Sequence, residues 1–298
     1  MHPIRGISRR EYHDKKQEIS NLKGGFFMAA FETRHPVRIG VQLHQQHTTY
    51  ESFADAVRRA EDMGVDTIFV SDHFFPLYGD PQGYHLEGWT LLTAMATLTE
   101  RAEVGCLVTG AGYRNPALLS NMAKTVDHMT HGRLILGLGA GMFERDYQEY
   151  GYEFGTPGSR LDSLEQAIQI IRRRWEEDQP KPVRKIPLLI GGSGEKKTLR
   201  IAAKSADIWH GHGDPAAYRQ KVAVLHGWCA KVGRNPEEIE CAVSPFFGMR
   251  PVKTDELDAY VEAGATHFIL GMGRPALDMP WNFERVAQVL EWRKKRRD

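Results

Sequence analysis

The sequence predicts an α/β protein built as a single (β/α)8 barrel, a TIM barrel. Two observations carry that expectation. Short β-branched, apolar runs alternate with amphipathic helical stretches along the chain from Val37 onward, and the alternation repeats eight times. No GxGxxG turn is followed at the right distance by an acid, so the doubly wound dinucleotide fold, the main rival, lacks its fingerprint. "GLGAGMFERD" (137–146) has glycines at 137, 139 and 141 but none at 142 or 144.

The elements follow in order. "VRIGVQL" (37–43) is a strand, and "YESFADAVRRAEDMG" (50–64) places Phe53, Ala56, Val57, Ala60 and Met63 on one helical face, with Gly64 as the stop. "TIFVS" (67–71) precedes "EGWTLLTAMATLTERA" (87–102). "EVGCLVTG" (103–110) precedes "PALLSNMAKTVDHMTHG" (116–132), where Pro116 sits just inside the helix start. "RLILGLG" (133–139) precedes "SRLDSLEQAIQIIRRRWEED" (159–178), and "IPLLIGG" (186–192) precedes "EKKTLRIAAKSA" (195–206). "DIWHG" (207–211), "ECAVSPF" (240–246) and "THFILGM" (266–272) complete the strands, each with its helix behind it.

Composition narrows the function. The 298 residues carry a net charge of +1, which gives no reason to expect a nucleic-acid partner. No window reaches the ~20 apolar residues of a membrane-spanning helix. The basic end "WRKKRRD" suits a helix C-terminus. Cys106, Cys229 and Cys241 are odd in number and far apart, which implies no disulfide framework and fits a reducing cytoplasm. Residues 1–35 are polar and aperiodic; they are expected outside a barrel that spans 36–298, and Met28 is an alternative start. "SRREY" lacks the apolar run that a twin-arginine export signal needs.

In barrel enzymes the chemistry lies at the C-terminal strand ends. Here those ends carry His44, Asp72 with His73, Thr109 with Gly110, Gly139–Ala140–Gly141, Gly191–Gly192–Ser193–Gly194, His210 with His212, and Ser244 with Pro245. "LLIGGSGEKK" reads as an anion cradle, because glycines let backbone amides approach a phosphate at a helix start. Lys196 and Lys197 are expected in the first turn of that helix, where an anion would offset their clash with its dipole. A metal-hydrolase reading of the histidines lacks an HxH pair on the first strand and leaves the glycine turns unexplained. His210 and His212 read first as polar rim residues, with His210 also a candidate substrate contact. Phe74, Phe75, Trp89 and Tyr113 read equally as substrate walls or core packing.

"VSDHFF", "GCLVTGAGYRNPALLSNMAKTVDHMTHGRLILGLGAGMFERDYQEYG" and "IPLLIGGSGEKKTLRIAAKSADIWH" carry a family resemblance in their order and spacing. From about Val37 to Trp209, and more weakly beyond, the chain resembles the bacterial luciferase-like monooxygenase superfamily and, within it, the deazaflavin (coenzyme F420)-dependent oxidoreductases. The resemblance implies a deazaflavin across the barrel mouth, or FMN as the alternative cofactor. Its phosphate tail would meet Gly139, Ala140, Gly141, Met142, Gly191, Gly192, Ser193 and Gly194. Its ring would lie near His44, Cys106, Leu107 and Thr109, with a non-prolyl cis peptide or bulge at Cys106–Leu107. The family's Asp–His pair falls on Asp72 and His73. His73 is then the candidate acid or base, with Asp72 orienting it or bonding the cofactor. Phe74, Trp89, Tyr113 and His210 are the candidate substrate contacts. The implied enzyme acts on a small molecule, holds no metal, and forms a homo-oligomer, expected to be a dimer. A non-catalytic flavin carrier is the reading outside enzymology.

Overall fold

The structure is a computed structural model that describes residues 35–245, 253–274, 276–277 and 279–296. The expectations about the N-terminal extension and about Met28 lie outside the described residues.

Among the described residues, nine strand segments form one closed parallel sheet: β1 (Arg38–Leu43), β2 (Thr67–Val70), β3 (Glu103–Cys106), β4 (Thr109–Gly110), β5 (Leu134–Gly139), β6 (Leu188–Gly191), β7 (Ile208–Gly211), β8 (Glu240–Val243) and β9 (His267–Met272). β3 and β4 are two pieces of one stave, since both pair with β5. The barrel therefore has eight staves, closed by six residue pairs between β1 and β9. The strands are short and buried on both faces, which is why each reads as a continuous apolar run. Phe69, Leu107, Ile135, Leu189, Ile208, Ala242 and Ile269 form the packed interior.

The helices are α1 (Tyr50–Met63), α2 (Gly88–Leu98), α3 (Pro116–Met129), α4 (Glu144–Glu149), α5 (Pro157–Glu177), α6 (Thr198–Ser205), α7 (Pro215–Val232), α8 (Thr254–Glu262) and α9 (Glu284–Lys295). Their ends follow capping chemistry. Thr49 accepts from the Ser52 amide, Thr156 and Ser159 form a capping box, and Gly64 closes α1 at φ 84°. α4 is an element that the sequence pattern did not announce. α6 starts three residues later than expected, so Lys196 and Lys197 precede its first full turn. Lys197 donates to Asp162 at 2.6 Å and to the Gly158 carbonyl at 3.0 Å.

The break in the third stave lies at 107–108, and the non-prolyl cis peptide joins Leu107 to Val108. The expected position, Cys106–Leu107, is corrected by one bond. Cys106 still pairs in register with Val70, so regular β-structure runs through it. The Gln42 amide, reaching over from β1, donates to the Leu107 carbonyl at 2.6 Å.

At the opposite end of the barrel, Arg38 bridges Glu103 and Glu240, and His267 bonds Thr67 at 2.8 Å. This charged floor is a stability feature, as barrel floors generally are.

Candidate active site

His73 follows β2, and Asp146 follows β5 on α4. The two meet at 2.7 Å between the ring Nδ1 and a carboxylate oxygen. The His73 side chain is 19% exposed and that of Asp146 is fully buried. Asp146 also accepts from the Phe74 amide at 3.0 Å and from the Tyr113 hydroxyl at 2.8 Å. The expectation that Asp72 orients His73 is corrected here. Asp72 faces Arg114, which donates to both its oxygens at 2.6 and 3.0 Å. Arg114 also reaches Glu87 at 2.6 Å, the residue that caps α2. Burial pushes the Asp72 carboxyl up to about 6, against the pull of Arg114.

His44 bonds the Tyr78 hydroxyl at 2.7 Å. Burial, with His73 and His85 nearby, pushes the His44 imidazole down to about 4, so it is neutral at neutral pH. His210 is buried, bonds Ser244 at 2.9 Å, and is held well below the usual histidine range by burial. Trp89 and Thr109 are both buried and satisfy each other through an indole-to-hydroxyl bond of 3.0 Å. Phe74 lies in an aromatic group with Tyr113 and Tyr150, ring centres 4.8 and 4.3 Å away.

The glycine turns serve two purposes. Gly139 and Gly191 lie on adjacent strands and both make room for Val108: an added Cβ would come within 2.6 Å and 2.9 Å of its methyls. A Cβ at Gly137 would collide with the Cys106 carbonyl. These glycines accommodate the interrupted stave. Gly141 (φ 80°) and Gly192 (φ 123°) adopt backbones that side chains disfavour, and Ala140 lies beside the former. Met142 next to it is 78% exposed. The Gly192 amide is already used by the His210 carbonyl at 3.0 Å. Among the described residues nothing accepts from the Ser193 or Gly194 amides.

Sequence reasoning missed a latch. Gln45, Gln46 and His47 are buried polar residues in the β1–α1 loop. Gln45 donates to the Ser71 carbonyl at 2.7 Å and accepts from the Ser71 hydroxyl at 2.8 Å. Gln46 donates to the Tyr78 carbonyl at 2.8 Å and accepts from the Leu77 amide at 2.9 Å. His47 bonds the Tyr78 carbonyl at 2.8 Å. All of these partners lie in the β2–α2 loop that carries His73. Among the described residues, no cluster of three or more His, Cys, Asp or Glu converges to hold a metal ion. No helix there is long and apolar enough to cross a membrane.

Comparison with known proteins fits this architecture. The luciferase-like monooxygenase family matches residues 30–298. An uncharacterized protein of Mycobacterium tuberculosis is 28% identical over 272 residues, 80% of this chain and 93% of its own. The F420-dependent glucose-6-phosphate dehydrogenase of Microbacterium testaceum is 28% identical over 225 residues, 69% of this chain and 66% of its own. A solved F420-dependent secondary alcohol dehydrogenase, in complex with an F420-acetone adduct, superposes with a TM-score of 0.75 at 20% identity, covering 86% of this chain and 99% of that one. Long-chain alkane monooxygenase does so at 0.68 and 13% identity, covering 87% and 92%. At these identities the two structures speak to the fold. The chain belongs to the luciferase-like monooxygenase family and is an enzyme of that class.

Proposed function

We propose that this enzyme transfers a hydride between a deazaflavin, coenzyme F420, and a small organic substrate at the C-terminal mouth of the barrel. The observation that carries the reading is His73, held by Asp146 at the end of β2 with its second ring nitrogen unbonded among the described residues. The choice of cofactor is supported by relatives whose names give F420 dependence.

The residues present fit such a group. Ser193 and Gly194 hold amides that no described residue uses, ahead of α6, and the backbone of Gly139–Met142 ends the neighbouring strand. Those residues, with Gly191 and Gly192, would hold a phosphate. Val108 is half-buried while Cys106, Leu107 and Thr109 are buried, so Val108 is the more accessible side chain of that stave for a flat ring. A bound deazaflavin supplies a carbon that carries hydride and reacts poorly with oxygen. His73 gives or takes the proton that accompanies oxidation or reduction of the substrate. Phe74 and Tyr113 shape the apolar side of the pocket.

The test is a titration of the purified protein with F420 and with FMN side by side. Saturable F420 binding supports the reading. FMN binding without F420 binding supports the alternative, an FMN-dependent monooxygenase. Binding without turnover on a panel of alcohols and aldehydes leaves a carrier. The reading also places the enzyme in a reducing cytoplasm, where Cys106, Cys229 and Cys241 stay as free, buried thiols. It takes the enzyme as a homodimer, which light scattering tests.

A further inference from the structure

Two carboxylates lie near His73, and only one of them bonds it. Asp72 uses both oxygens on Arg114. Asp146 receives the His73 Nδ1 and the Tyr113 hydroxyl on one oxygen and the Phe74 amide on the other. The amide can only donate. Burial, and then the Asp146 contact, push Tyr113 ionisation far upward, so its hydroxyl keeps its proton and donates it. A carboxyl surrounded in this way is satisfied as an ionised acceptor, and the ring nitrogen facing it is satisfied as a donor.

We infer that Asp146 is a positioning residue for His73: it holds the ring proton on Nδ1 and leaves Nε2 as the atom that exchanges a proton with substrate. The inference rests on the proposed role of His73. The other charged and titratable groups around the ring have separate partners. Asp72 and Glu87 are held by Arg114. His44 bonds Tyr78, and His85 bonds the His73 carbonyl at 2.7 Å. Arg145 lies over the Phe75 ring and beside Glu149. Tautomer control by a buried carboxylate is a general device for making one imidazole nitrogen the working atom.

The inference is tested by nitrogen-15 NMR of the full chain without cofactor, with His73 assigned from a His73→Gln spectrum. The neutral His73 ring is expected to carry its proton on Nδ1. Asp146→Asn is expected to loosen this preference, so that the tautomer protonated on Nε2 becomes populated. Asp72→Asn is expected to leave the tautomer as in the wild type, because Asp72 is bonded by Arg114 and not by the ring. A neutral wild-type ring protonated on Nε2 overturns the inference, and so does an equal change of tautomer in the two variants. The wild-type tautomer decides the matter even if Asp146→Asn does not fold. No cofactor enters the measurement, so its failure is distinct from failure of the deazaflavin reading, which the binding titration decides.

Discussion

Arg114 grips Asp72 through both ends of its guanidinium, at 2.6 and 3.0 Å, inside the wall of the site. Burial lifts the carboxyl to about 6, so it is ionised at neutral pH. Removing one partner of a buried pair strands the other charge. Arg114→Ala should therefore destabilise the protein by about 3–5 kcal/mol. Asp72→Asn should cost less, and the double variant should recover part of the loss. Urea unfolding reads all three; a loss below about 1 kcal/mol for Arg114→Ala, the range of an exposed pair, would contradict the burial argument. A carboxyl raised on folding binds its proton more tightly in the folded state. Its own contribution is therefore full below the ordinary 3.8 and is lost as pH rises through about 6.

Glu240 at the barrel floor has the opposite sign. Burial alone would raise it, but His267 and Arg38 outweigh burial and hold it at about 2. Its contribution is present above the ordinary 4.5 and is lost as pH falls toward about 2. Glu240→Gln should lower stability at neutral pH by roughly 3–4 kcal/mol, from the free energy of each pKa unit. The difference from wild type should vanish near the acid end. Parallel melting curves at a constant offset across the whole range would refute the assignment.

For His73, alanine replacement should lower turnover by ~10²–10⁴-fold, the range for losing a general acid or base. F420 affinity should fall far less, and the pH–rate profile should lose one limb. Turnover within about threefold of wild type would leave general acid–base catalysis to another residue.

At the anion turns, Ser193→Asp sets a negative charge beside the amides of Ser193 and Gly194. Cofactor affinity should weaken by roughly tenfold or more, since hydrogen bonds to charged groups contribute ~1.5–3 kcal/mol. Unchanged affinity would make the loop purely structural.

Val108 and Gly139 should behave as a coupled pair. A Cβ at Gly139 would meet Val108 at 2.6 Å, so Gly139→Ala alone should destabilise by about 1–3 kcal/mol through overpacking. In a Val108→Ala background the same change should cost markedly less. Additive losses in thermal melts would show that the two side chains do not compete for the same space.

The eight staves were legible because each is buried on both faces and bounded by turn residues. The exact bond of the break, Leu107–Val108, was not, because nothing in "GCLVTG" distinguishes it from the Cys106–Leu107 bond before it. α4 was missed because it is six residues long and polar, too short for a periodic signal. With it went Asp146, the acid bonded to His73. Adjacency in sequence instead suggested Asp72, whose partner Arg114 lies on the loop after another strand. Glycines also look alike in sequence: 139 and 191 make room for Val108, while 141 and 192 take left-handed backbone. Gln45 and Gln46 drew no reading from the sequence, since nothing local reveals that their amides end on another loop.

The latch formed by Gln45, Gln46 and His47 bears on how the enzyme spends its motion. The segment carrying His73 is fastened at Ser71, Leu77 and Tyr78 by buried side chains and joined again where the Tyr84 carbonyl accepts from the His47 amide at 2.7 Å. Under the proposed role of His73, the entropy of placing the imidazole would be lost largely on folding. A group so fixed meets each substrate with little reorganisation of its surroundings, the condition under which proton transfer and charge stabilisation are most effective. If His73 has the proposed role, a substrate would meet the imidazole where these bonds already hold it.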